Sequence, residues 1–241
     1  MRSRCARSSI IAAFQARVLG YLYEEVSAAL DVRLGKPPLM LWPMRRLGQK
    51  NRQRRIINEE EILSTIRAKY APIAMGGSAG SVAGGERYEV DVRGVDLATL
   101  PLAEQIALVR SASLLAGAHG AAFAHVVWLP VGAVALELFT RAFNLRMYEN
   151  YATFAGAHYL RWTNPHQHLE TADGLKIDWT SLSPVMHEAV RRAQVARPWK
   201  DDATSKDTVL PAPMVERRRR SERWRKRQRR RRQRQDASGG A

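Results

Sequence analysis

A histidine set among small residues marks the part of the chain best suited to bind an anion. His119 precedes Gly120, Ala121 and Ala122 and closes an apolar run that begins at Ser113. The pattern predicts a strand, a tight turn and a helix, and such a turn presents backbone N–H groups at the helix N-terminus. An imidazole there can donate a hydrogen bond to a phosphate or carry a proton. Alternatively, the small residues only let the helix pack closely on the sheet, and the residues alone favour neither interpretation.

Three further side chains complete the candidate site. Glu137 lies in the next predicted strand, where its carboxylate would bind a sugar or ribose hydroxyl. Arg45 and Arg46 come shortly after an apolar run at 39–42 that is typical of a strand. A guanidinium binds two phosphate oxygens at once, so an arginine just past a strand end suits a phosphate. The alternative for each arginine is a solvated position in a basic loop.

Metal-dependent and nucleophilic chemistry are not expected. His158, His166 and His168 contain a His-x-His pair, but a third ligand would have to come from across a strand. The single cysteine, Cys5, excludes a cysteine-based metal cage and an intrachain disulfide. Gly-x-Ser-x-Gly, Walker, Gly-x-Gly-x-x-Gly and Asp-x-Asp patterns are absent from the sequence. We therefore predict no metal and no bound cofactor.

The positive charge is concentrated at the C-terminus. Residues 216–241 carry 13 basic and 3 acidic side chains, which is +10 of the net charge of +16. Such a run is typical of a disordered segment that attracts polyanions or anionic membranes without sequence-specific nucleic-acid recognition. We predict this contact for residues 217–234. The alternative, which has equal weight, is a solvated extension without a role in binding.

A long uncharged stretch, residues 111–136, is long enough to span a membrane. His119 and His125 would be costly in hydrocarbon, and Pro130 breaks the second half of the stretch. The stretch also changes from a strand-like to a helix-like pattern and back, so it predicts a buried α/β unit. The first 20 residues do not match a signal peptide.

Strands alternate with helices along the chain, which predicts an α/β fold with a mostly parallel sheet. Helices are predicted within 8–30, from 101, over 144–155 and from the Ser183-Pro184 pair. A further helix is predicted to begin at Asn58, with Asn58 and Glu61 forming a capping box. Strands are predicted at 39–42, 88–92, 113–118, 132–139 and 158–162. Ligands of such sheets bind beyond the carboxyl ends of the strands, where the His119 turn is expected.

Taken together, several pieces of sequence resemble the glycosyltransferase family 61 domain. They include Pro43-Met44-Arg45-Arg46 after the first predicted strand and His119-Gly120-Ala121 in the later turn. The full set, in order, is 39–46, 55–62, 102–106 and 117–139, followed by a segment at 148–159 like the Tyr-rich segment of the family. Ala122 stands where the family often has a second glycine, and His125 where it often has asparagine.

The resemblance implies the Rossmann-like, donor-binding half of a GT-B glycosyltransferase. Residues 37–197 would form this domain, 1–36 a helical remnant, and 198–241 a disordered linker and arginine-rich tail. By that likeness, the diphosphate of a UDP-sugar is held by Arg45 or Arg46 and by the turn from His119 to Ala122, and Glu137 contacts the donor. We expect most of the acceptor-binding domain to be missing from this chain.

The resemblance further implies transfer of the sugar to a hydroxyl of a glycan or a protein, in the lumen of the Golgi or ER and without a metal. The competing hypothesis is a non-catalytic protein that binds polyanions or nucleic acid through its arginine-rich tail.

Overall fold

A parallel five-stranded sheet forms the centre of the described part of the chain. The computed structural model describes residues 8–33, 35–44, 55–71, 88–141 and 145–196. The sheet has the order β2-β1-β3-β4-β5, and every neighbouring pair is parallel. Its strands are β1 Leu39–Pro43, β2 Asp91–Val95, β3 Leu114–Ala118, β4 Val134–Phe139 and β5 His158–Thr163. The predicted α/β class with a parallel sheet is confirmed.

Burial explains which residues form each strand. The three central strands, β1, β3 and β4, are apolar on both faces and almost completely buried, as expected for strands covered by helices on both sides. The edge strands are half-buried and carry the charged side chains Asp91 and Arg93 on β2 and Arg161 on β5. Glu137 is therefore exceptional, because it is a carboxylate in a central strand.

Helices cover both faces of the sheet. They are α1 Ser9–Tyr21, α2 Tyr23–Asp31, α3 Glu59–Tyr70, α4 Leu102–Arg110, α5 Met147–Ala155 and α6 Trp179–Ala193. Leu63 of α3 and Met186 of α6 pack with Met40 on one face of the sheet. The other face is covered by α1, α2, α4, α5 and a 3-10 helix, Ala121–Trp128, which pack around Leu39, Leu41 and Leu115. A short hairpin, β6 Glu170–Thr171 and β7 Gly174–Leu175, lies outside the main sheet.

The two N-terminal helices belong to the helical layer over the sheet. Leu19 of α1 and Val26 of α2 are buried in the same core as β1 and β3. Arg33, just after α2, forms an ion pair of 2.5 Å with Asp91 at the start of β2. The helices predicted within 1–36 are thus present and share the sheet's core, while the proposed domain boundaries stay predictions. All described residues belong to the first of two units, residues 1–204, and the arginine-rich tail lies outside them.

The predicted start of the last helix was wrong. This helix begins at Trp179, and Asp178 is its N-cap, accepting hydrogen bonds from the N–H groups of Thr180 and Ser181. Pro184 is therefore inside the helix. It cannot donate to the Thr180 carbonyl, and the Ser183 hydroxyl contacts that oxygen at 3.4 Å instead.

The predicted capping box at Asn58 was also wrong. The Asn58 side chain makes no capping hydrogen bond to the α3 backbone, although α3 does begin at Glu59. Its amide instead donates to the Ile177 carbonyl and accepts from the Ile177 N–H, both at 2.9 Å. The amide also donates to Glu61 Oε2 at 3.3 Å, so the two predicted residues are in contact through their side chains and not through the helix backbone.

Smaller differences concern the type and bounds of elements. The helix after the His119 turn is a 3-10 helix, and α5 begins at Met147 rather than at 144. Strand β2 begins at Asp91, so Tyr88 precedes it. Within the described ranges, no helix combines the length and the apolar character needed to cross a membrane. The stretch 111–136 is divided between β3, the 3-10 helix and β4, as the α/β interpretation predicted.

The N-cap at Asp178 provides a test of the fold. Hydrogen bonds from the Ser181 and Thr180 N–H groups lower the pKa of its carboxyl. A lowered pKa means that the stabilisation is present above the unfolded-state pKa of about 4 and is lost as the pH falls through the folded-state value. We expect Asp178→Ala to reduce the free energy of unfolding by about 1 kcal/mol at pH 7 and by less at acidic pH, in urea titrations. Asp178→Asn is the matched control and should retain most of the stability, because asparagine caps as well.

Candidate functional site

His119 lies directly beyond the carboxyl end of β3. Its N–H donates to the Leu138 carbonyl at 2.9 Å, so the sheet ladder fixes the backbone at this position. The residue is 5% exposed. Side chains alternate along a strand, and the register of β3 with β4 therefore brings the His119 and Glu137 side chains to the same face of the sheet. The sequence placed His119 at the end of one predicted strand and Glu137 within the next, and it gave no direct evidence that the two are in contact.

The His119 ring is bonded to a buried carboxylate. Its Nδ1 is hydrogen-bonded to Glu137 Oε1, and Glu137 is 0% exposed. The Tyr159 hydroxyl donates to the other oxygen, Glu137 Oε2, at 2.6 Å. Because burial and this hydrogen bond raise the pKa of Tyr159, its hydroxyl stays protonated and donates. An accepting carboxylate puts the His119 proton on Nδ1.

Aromatic rings fix the plane of the imidazole. The His119 ring is stacked on Phe139 with 5.0 Å between ring centres, and Tyr148 contacts it at 5.4 Å. The Arg161 guanidinium carbon lies 4.0 Å from the centre of the Phe139 ring. With Nδ1 bonded and two aromatic rings in contact, the imidazole has a defined orientation, as a site that must aim one nitrogen at a ligand requires.

The turn after His119 leads into the 3-10 helix. The Phe123 N–H donates to the Gly120 carbonyl at 2.8 Å, which closes the first turn of that helix. The N–H groups of Ala121 and Ala122 precede this bond and have no partner within the helix. Ala121 is exposed and Ala122 is half-buried, so these N–H groups are at or near the surface.

Contacts at its far end hold the 3-10 helix in place. The buried Arg110 donates to the Leu129 carbonyl at 2.9 Å, just after the helix, where a cation complements the C-terminal dipole. Gln15 of α1 donates to the Val127 carbonyl. His125, within this helix, is half-buried, and burial lowers its pKa, which favours the neutral ring. Its Nδ1 is buried and has no hydrogen-bond partner among the described residues.

The turn is at the switch point of the sheet. Strand order reverses between β1 and β3, because the chain leaves β1 towards β2 on one side and returns to β3 on the other. Ligands of such sheets bind in the crevice expected at this point, beyond the carboxyl ends of the strands. Strands β1 and β3 lie close together at Gly117, because a Cβ at this position would lie 3.3 Å from Pro43 Cδ. Arg45 and Arg46 follow β1 in sequence and lie outside the described residues.

The three histidines considered for a metal are not brought together. His158 begins β5 and His166 follows its end, so about 16 Å of strand separates the two positions. The rings of His166 and His168 are 5.6 Å apart, and His166 Nε2 is 3.8 Å from Asp178 Oδ2. No three His, Cys, Asp or Glu side chains of the described segments are arranged to hold a metal ion. Independence from metal stays a prediction.

Sequence reasoning missed Tyr159 and Arg161 as members of the site. The strand that contains them was predicted, but the residues that face Glu137 depend on the register between β4 and β5. In that register Glu137 pairs with Arg161, and Tyr159 lies two residues earlier on the same face. The available signal was the alternation of Tyr159, Arg161 and Thr163 with apolar residues on a strand predicted to be at an edge.

A parallel sheet with a polar turn at its switch point defines the class of α/β domains that bind ligands beyond the strand ends. Comparison of the sequence adds the family. The model of the family Glycosyltransferase 61 matches residues 5–136, more than half of the chain and including the His119 turn. The chain belongs to glycosyltransferase family 61.

Two relatives match more limited segments. Over 127 residues, 53% of this chain, it is 28% identical to the EGF domain-specific O-linked N-acetylglucosamine transferase of Drosophila melanogaster. Over 87 residues, 34% of this chain, it is 32% identical to the protein O-linked-mannose beta-1,4-N-acetylglucosaminyltransferase 2 of Tetraodon nigroviridis. The matched segments span 21% and 15% of these two relatives, so the chain corresponds to a small part of either.

The Tyr159 hydroxyl provides a test of the buried network. Tyr159→Phe removes a donor from the fully buried Glu137, and an unsatisfied buried acceptor costs about 1–3 kcal/mol. We expect a loss of that size in the free energy of unfolding, measured in urea. Tyr151→Phe is the control, because no hydrogen bond of the Tyr151 hydroxyl is seen in the described part of the chain. An equal effect of the two substitutions would contradict a specific role of the Glu137 contact.

Proposed function

We propose that the protein takes part in glycosyl transfer from a UDP-sugar to a hydroxyl of a glycan or a protein, and that this chain supplies the donor-binding half of a GT-B enzyme. The observation that carries the proposal is the His119–Glu137 pair beside the turn at the switch point, in a chain that belongs to glycosyltransferase family 61. The names of both relatives describe transfer of N-acetylglucosamine, which is the first donor sugar to test.

The diphosphate of the donor binds at the turn. The N–H groups of Ala121 and Ala122 donate to its oxygens, together with the helix N-terminus that Gly120 caps. Nε2 of His119 donates to a phosphate oxygen when the ring is protonated. Arg45 or Arg46, in the loop after β1, contacts the same group from across the switch-point crevice.

Catalysis then depends on stabilising the leaving group. The acceptor oxygen forms a bond to the anomeric carbon, while the bond from that carbon to the diphosphate oxygen breaks. The electron pair stays with UDP, and the proton of the acceptor hydroxyl goes to a general base on the acceptor side. His119 and the N–H groups of the turn stabilise the negative charge that develops on the leaving UDP. In this proposal no metal ion is needed.

Glu137 acts through His119. A direct contact of Glu137 with a donor hydroxyl stays a prediction, but both of its oxygens are bonded to side chains of the protein and the residue is fully buried. We therefore assign Glu137 the role of a positioning residue, which fixes the ring and the Nδ1 proton of its neighbour.

The Golgi or ER lumen is the location that fits the proposed acceptors.

Binding of UDP tests the proposal directly. We expect calorimetry of the full chain to detect UDP binding, and His119→Ala to weaken it about tenfold or more, since a hydrogen bond to a charged group is worth about 1.5–3 kcal/mol. His166→Ala is the matched control, because His166 is exposed and belongs to the loop after β5. Absence of binding at millimolar UDP, or equal losses in the two variants, would contradict the assignment.

The arginine-rich tail separates the proposed function from the polyanion-binding alternative. A chain that ends at residue 215 should bind UDP as the full chain does. If residues 217–234 bind polyanions, RNA retention should weaken steeply with salt and disappear in the shortened chain, as measured by filter binding. Tail-dependent RNA binding without any UDP binding by either chain would favour the alternative.

A further inference from the structure

Three flat side chains form a stack across the carboxyl half of the sheet. His119 follows β3, Phe139 ends β4 and Arg161 belongs to β5, and these strands are consecutive neighbours. The Phe139 ring centre is 5.0 Å from the His119 ring centre and 4.0 Å from the Arg161 guanidinium carbon. Because β4 lies between β3 and β5, and both distances are close to the spacing between strands, Phe139 lies between the other two groups.

The Arg161 guanidinium is held in a defined orientation. Its Nε–H donates to the Thr163 hydroxyl at 3.2 Å, and its guanidinium carbon lies over the Phe139 ring. Stacking on a ring does not use the N–H donors, which lie in the plane of the guanidinium and point outward from its edge. An arginine fixed in this way is suited to bind two oxygens of one phosphoryl group.

The stack sets the distance between two groups that bind anions. From the two centre distances, the guanidinium carbon and the His119 ring centre are at most about 9 Å apart. A diphosphate that accepts one hydrogen bond at each end spans a gap of this size, with each bond about 3 Å long.

We propose that Arg161 binds one phosphoryl group of the donor diphosphate while His119 binds the other, with Phe139 as the spacer between them. The inference rests on the proposed function and deepens it, since it identifies a further cationic residue of the donor site. It also gives a physical reason for the presence of the charged residue Arg161 within strand β5. Glu137, which pairs with Arg161 in the sheet register, keeps its two hydrogen bonds to His119 and Tyr159.

The test compares three ligands by calorimetry of the full chain at physiological ionic strength: UDP, inorganic pyrophosphate and uridine. We expect Arg161→Met to weaken the binding of UDP and of pyrophosphate about tenfold or more, because hydrogen bonds to a charged group are lost. The binding of uridine should not change. Arg93→Met is the matched control. It removes the same charge from the same face of the sheet at the opposite edge, on β2, and should alter none of the three affinities.

The possible results separate the inference from the function on which it rests. If UDP binds but Arg161→Met behaves like Arg93→Met, the inference is wrong and the proposed function stands. If pyrophosphate binding depends on Arg161 but UDP binds no better than pyrophosphate, the diphosphate site stands and nucleotide recognition fails. If pyrophosphate does not bind to the unchanged chain, the inference is wrong.

A second variant keeps the test valid if Arg161→Met does not fold, as judged by circular dichroism. Arg161→Lys keeps the charge and the apolar stem but loses the planar fork that binds two oxygens. We expect it to weaken UDP binding several-fold and to leave uridine unchanged. Full retention of UDP affinity by this variant would contradict a bidentate contact from Arg161.

Discussion

The carboxylate of Glu137 is the group on which the organisation of the site depends. A charged carboxylate buried in a central strand is costly unless its oxygens are hydrogen-bonded. His119 and Tyr159 provide these bonds, and they come from the two strands that flank β4. The network therefore links β3, β4 and β5, because a register shift of one residue would turn the partners to the opposite face. One buried interaction thus supports both the sheet and the orientation of His119.

The same interaction relates the fold to the chemistry. A parallel sheet collects strand ends at one edge, and the reversal of strand order between β1 and β3 opens a crevice there. His119 is directly at that edge, and its Nδ1 is occupied by Glu137 within the core. In the proposed function, Nδ1 of His119 has a structural role and Nε2 binds the donor, which is how a nearly buried histidine can serve a ligand site.

Local features of the site were predictable from the sequence, and long-range contacts were not. The strand before Arg45 and the small-residue turn at His119 are encoded by neighbouring residues, so pattern and composition were sufficient. Asn58 was misassigned because its true partner, Ile177, is distant in sequence, and the same residues also suit a local capping box. Tyr159 was missed because a strand prediction carries no register, and only the pairing of β4 with β5 brings its hydroxyl to Glu137.

The departure of this chain from the family pattern at Ala122 has a structural explanation. A methyl group in place of hydrogen would matter if it covered the N–H groups that face a phosphate. Ala122 is half-buried and Ala121 is exposed, and both precede the first hydrogen bond of a 3-10 helix, from the Phe123 N–H to the Gly120 carbonyl. In a helix the N–H groups point along the axis towards the N-terminus, whereas the side chains point outward from the axis. The turn can therefore keep its donors for an anion with alanine at this position.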